Sequence, residues 1–124
     1  MERSILQQIN QYRQKKRLSS LRTNPAIRRQ ARQHSRDMSN RHVLTHNGFD
    51  LRVDNISKSI AYRSAAENVA YNWGFSAPER QAVEGWIKSA GHRENIEGDY
   101  DLTGIGVAKN AQGEYYFTQI FIKR

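Results

Sequence analysis

The chain has 124 residues, 37% of them hydrophobic, with only two prolines. That makes one domain, large enough to bury about two-thirds of its unfolded surface, and excludes a disordered tail. It has no cysteine, which excludes a disulfide scaffold, a thiolate nucleophile and a thiolate zinc site. The net charge of +8 is uneven, because residues 1–41 hold eleven Arg and Lys against Glu2 and Asp37, while the rest of the chain is nearly neutral. Such asymmetry suits an anionic polymer or a membrane surface, or simply a solvated face.

Ser4 and Gln7 form a capping-box pattern, and Ile5, Ile9 and Tyr12 follow at helical spacing, which predicts a first helix over 4–16. Its other face carries Arg13, Lys15, Lys16 and Arg17. Asn24-Pro25 pairs an N-cap residue with proline at the first helical position, so a second helix runs to about Arg41. On it Ile27, Ala31, His34 and Met38 make one buried stripe, in which His34 reads as a core residue satisfied by hydrogen bonds. Arg28, Arg32 and Arg36 line up at successive i+4 steps as a basic ridge and a candidate anion-binding surface.

Asn47-Gly48 marks a turn, Phe49 to Ser57 reads as a short helix resting on Leu51 and Ile56, and Ile60 to Tyr62 as a short strand. Ala65 to Tyr71 fits a helical turn or a strand. Ser76 and Glu79 make a second capping-box pattern before a helix over 77–90, whose stripe is Ala82, Val83, Trp86, Ile87 and Ala90. Gly91 is the residue type that ends helices in a left-handed turn, which places His92 just beyond a fixed helix end. A side chain held there has little freedom, as a ligand or general base requires.

Glu94 to Asp101 reads as an acidic loop, followed by strands over 103–109 and 114–122 joined by a turn. The last strand is apolar on both faces, with Tyr115, Phe117 and Phe121 on one and Tyr116, Ile120 and Ile122 on the other. It needs cover on both sides. The pattern is therefore α+β, a small antiparallel sheet between helical layers.

Asn24-Pro25, Thr45-His46-Asn47-Gly48, Ala66-Glu67-Asn68-Val69-Ala70, the block from Trp86 to Ile96 and Gly104-Ile105-Gly106-Val107 stand in an order that resembles the CAP superfamily of cysteine-rich secretory proteins, antigen 5 and pathogenesis-related 1. The likeness is to its compact bacterial form, the SCP-like extracellular domain, and runs from about Ile5 to Ile122. It implies a three-layer α-β-α sandwich, export to the cell envelope or beyond, and a central cleft of two histidines and two acids. His46 and His92 match the histidines and Glu67 the first acid. Where many eukaryotic members carry the second acid, three residues after the tryptophan, this chain has Ser89.

Two neutral imidazoles and a carboxylate, His46, His92 and Glu67, could hold zinc or another divalent metal with water completing the shell. Glu67 could instead orient a histidine from behind, or the three could simply tie their segments together. Ser89 and Asn68 would line the cleft, although asparagines such as Asn68 and Asn95 commonly serve loop backbone groups.

Metal-assisted hydrolysis would use Glu67 as base beside the histidines. A Ser89, His92, Glu67 triad lacks a recognisable oxyanion hole or nucleophile elbow. The expected module is a monomer that binds a small ligand, lipid or envelope polymer. Aromatics are not interleaved with its basic residues, which argues against nucleic acid.

Overall fold

The terminal strand, apolar on both faces, is the centre of the molecule. The computed structural model describes residues 1–124, in the order α1 (Glu2–Lys15), β1 (Arg22–Thr23), α2 (Pro25–Arg41), α3 (Phe49–Ser57), β2 (Ser64–Asn72), α4 (Pro78–Lys88), α5 (Ala90–Ile96), β3 (Leu102–Lys109) and β4 (Tyr115–Lys123). The sheet order is β1-β3-β4-β2. Alternation sends Phe117 and Phe121 of β4 into a cluster with Ile5 and Ile9 of α1 and Val83 and Trp86 of α4. Ile120 and Ile122 go to the other side, against Ile27 and Ala31 of α2 and Ile56 of α3. The result is the expected three-layer α-β-α sandwich.

The sheet is mixed and not wholly antiparallel, since β1 pairs in parallel with Leu102 and Thr103 of β3. That pairing follows from Asn24, whose Oδ1 accepts from the amides of Ala26 (2.8 Å) and Ile27 (3.3 Å) and so fixes the entry to α2 beside β3. From Gly104 onward β3 has no strand on that side. Gly104 and Gly106 face α2, where an added Cβ would stand 2.4 Å from helix backbone atoms. Their lack of a side chain sets how closely α2 lies on the sheet.

Several local expectations are corrected. α1 starts at Glu2 with Met1 at its N-cap, so Ser4 lies inside the helix and accepts from Gln8. α4 starts after Ala77 with no side-chain cap. Residues 60–62 are coil, and the ambiguous stretch after them is a strand. Leu51 is 65% exposed, and Val53 takes its place as a buried contact of α3.

The largest change is at the second histidine. α4 stops at Lys88, Ser89 is extended (φ −97°, ψ 121°), and a separate α5 begins at Ala90. Gly91 and His92 are inside that helix, which leaves Gly91 as no left-handed stop. Helix propensity is continuous through Ala90 and cannot signal a break that tertiary packing imposes.

Candidate functional site

β2 pairs only with β4, so no strand covers its other edge, and the candidate residues gather along it. Glu67, buried near its centre, needs a compensating cation. Arg52 of α3 supplies it through a two-pronged contact, Nε donating to Oε2 and Nη2 to Oε1, each at 2.7 Å. Oε1 also accepts from Nδ1 of His46 at 2.9 Å. His46 comes from the loop between α2 and α3, and its side chain is 54% exposed against 2% for Glu67. The carboxylate thus takes up Nδ1 of His46 and leaves Nε2 as the ring nitrogen without a protein partner.

Behind this pair, Arg52 Nη1 donates to His34 Nδ1 at 3.0 Å and to the carbonyl of Asn47 at 2.8 Å. His34 Nε2 donates to the carbonyl of Thr45 at 2.7 Å. With a pure donor on one nitrogen and a carbonyl on the other, His34 is neutral. Burial pushes its pKa below the ordinary histidine value. His34 is therefore the satisfied core residue that its apolar stripe suggested.

The opposite wall is the junction of α4 and α5. Ser89 Oγ and His92 Nδ1 share a hydrogen bond of 2.8 Å. The pKa of His92 is lowered, first by burial and then by the neighbouring charge of His46. Asn68 is fully buried and does not line the cleft; its amide donates to the carbonyl of His92 and its oxygen accepts from Asn95. Trp86 Nε1 donates to the carbonyl of Val69 at 3.0 Å. These contacts lash α4 and α5 to β2, and they explain why the helix breaks at Ser89.

As a three-ligand metal centre the set does not fit. Both oxygens of Glu67 are engaged by Arg52, one of them by His46 as well, and no group of three or more His, Asp or Glu side chains is arranged around a common point. Glu67 instead stands behind His46, the arrangement that commonly orients a ligating or proton-transferring imidazole. The Ser89, His92, Glu67 triad is not assembled either, because the acid pairs with the other histidine.

Arg52 was not among the sequence candidates. A signal existed: a glutamate within an Ala- and Val-rich strand calls for a cation, and Arg52 is the one arginine between Arg41 and Arg63. The basic ridge is also altered. Arg32 is tied to Glu2 by two hydrogen bonds of 2.9 and 2.7 Å, and Arg36 bonds Gln33. Arg13 leaves the surface altogether, 2% exposed, and donates to the carbonyls of Ser19, Ile96 and Gly98. It thereby neutralises the negative end of α5.

Residues 6–121 match the family model CAP, the cysteine-rich secretory protein family. The chain is 34% identical over 127 residues to the uncharacterized membrane protein YlbC of Bacillus subtilis and 33% identical to the uncharacterized protein YkwD of the same organism. It covers 34% and 46% of their respective lengths, less than half of each. Its fold superimposes on an outer surface protein from Borrelia burgdorferi with a TM-score of 0.83 at 20% identity, covering 98% of this chain and 91% of that one. An extracellular protein containing an SCP domain from Bacillus anthracis gives 0.79 at 25% identity, over 99% and 40% of the two chains. No helix is long and apolar enough to cross a membrane. By its match to the family model over nearly the whole chain and by its layer order, this chain belongs to the CAP family.

Proposed function

We propose that the domain is an exported binding module whose cleft, at the strand-free edge of β2, takes a small ligand on the Nε2 atoms of His46 and His92. The observation that carries this reading is the buried chain from His34 through Arg52 to Glu67, which holds one half-exposed imidazole in one orientation. Burying an ion pair to hold a surface histidine costs desolvation, and an apolar core of the same volume would serve stability equally well. The expense is explained when His46 has to be presented in a set tautomer. Export is supported by the outer-surface and extracellular descriptions of the structural neighbours.

A divalent metal is the first ligand to test. His46 and His92 would hold it, and the metal would supply Lewis acidity to any further ligand. The chain's own part is to keep Nδ1 of His46 on Glu67, which leaves that ring's Nε2 to the ligand, and to hold His92 by its Nδ1 on Ser89, whose hydroxyl can accept from Nδ1 when Nε2 takes the metal. Hydrolysis has no support from Ser89, whose histidine has no acid behind it.

The test is a zinc titration near pH 7.5, followed by calorimetry and by imidazole nitrogen shifts, on the parent and on a folded His46→Ala, His92→Ala double variant. Saturable binding that moves both Nε2 signals and is lost in the variant is the expected result. If neither zinc nor a fragment library perturbs either ring in the parent, the histidines only tie segments together and the reading fails.

A further inference from the structure

At the edge of the sheet opposite the cleft, where β3 runs past the end of β1, α1 and α2 close over the gap. Between them is a pocket of about 300 Å³ with an apolar floor of Leu6 and Ile105 and a wall of Glu2, Arg3, Thr23, Arg28 and Arg32. Three guanidinium groups face one carboxylate. Glu2 accounts for Arg32 alone, through the two-pronged ion pair that joins α1 to α2 around the sheet edge. Arg28 makes a single long contact, 3.4 Å to the hydroxyl of Thr23, and Arg3 makes no hydrogen bond or ion pair. The first turn of α2 contains no acid, so no charged side chain of that helix offsets its positive N-terminal end, which Asn24 caps.

We propose that this pocket binds a phosphate group, held by the guanidinium groups of Arg3 and Arg28 with the Thr23 hydroxyl. Two donor forks and a hydroxyl on neighbouring elements exceed what the two oxygens of one carboxylate accept, whereas a phosphate has oxygens for both forks. The unequal state of the arginines is what separates this site from a general basic surface. The ridge along α2 is interrupted at its middle member, and Arg3, from a different helix, lines the same pocket as Arg28. Glu2 limits affinity by occupying Arg32, so its removal frees a third fork. The site is independent of the cleft, since the whole width of the sheet separates them.

The experiment titrates inorganic phosphate, and separately a poly(glycerol phosphate) chain, into the full domain while amide shifts are followed. The variants are Arg3→Ala with Arg28→Ala, Glu2→Gln, and Glu94→Gln as a charge-matched control on α5. Saturable phosphate binding should weaken by about tenfold or more in the double arginine variant, as expected on losing charge-assisted hydrogen bonds. It should tighten in Glu2→Gln and stay unchanged in Glu94→Gln. Binding of the polymer alone, lost in the same double variant, supports the site with a polymer-borne phosphodiester as the source. Binding of neither probe, equal binding by parent and double variant, or equal tightening in Glu2→Gln and Glu94→Gln overturns it.

Discussion

Arg52 and Glu67 meet where little water reaches, with side-chain exposures of 9% and 2%. Truncating one member leaves the other charge uncompensated, so Arg52→Ala should lower unfolding stability by about 3–5 kcal/mol. The double variant Arg52→Met, Glu67→Leu should recover much of that loss, because apolar groups of similar volume carry no desolvation penalty. Urea denaturation of the parent, Arg52→Met, Glu67→Leu and the double variant closes the cycle. A purely structural ion pair and one kept for the cleft differ in a second readout: in the recovered double variant His46 should no longer show a single Nδ1–H tautomer by NMR. Glu67 stands in a motif that the family resemblance singles out, whereas Arg52 stands in none and pairs with a partner 15 positions along the chain and on a different element.

At the scale of elements, the placement of α2 depends on what β3 lacks. Gly106→Ala would put a methyl group 2.4 Å from the backbone of Ala31 and Arg32, where no flexible side chain can yield. Overpacking of this kind should cost about 1–3 kcal/mol or more as the helix is lifted from the sheet. Gly91→Ala offers the contrast. Gly91 lies in α5 with nothing within 4 Å of an added Cβ, and alanine should stabilise the helix by about 0.5–1 kcal/mol. Thermal unfolding of the two variants beside the parent checks both signs. The Gly-Ile-Gly-Val alternation read as a strand from sequence, but the reason for its glycines became visible only with α2 in place.

For the whole molecule, pH is the variable that integrates the buried groups. Burial lowers the pKa of both His34 and His92. The unfolded chain, with histidines near pKa 6.5, therefore takes up protons before the folded one does. The histidine contribution to stability is full above about pH 6.5 and is lost as pH falls from there towards the lowered folded values. Urea midpoints measured from pH 8 to pH 5 should decline through that window, and the slope should be shallower in His34→Gln. Patterning by itself determined the two-faced β4, the Asn24-Pro25 start of α2 and the layered plan, because periodicity and caps are local properties of a chain, while His46, Glu67 and His92 stand out only through the resemblance of their short motifs to the CAP superfamily. Only the tertiary structure decided that Glu67 serves His46 from behind, that α4 breaks at Ser89, that Arg13 is buried and that Arg3 and Arg28 line one pocket at the sheet edge. Each of those depends on which distant group fills the space around a charge or a backbone carbonyl, and spacing along the chain does not encode it.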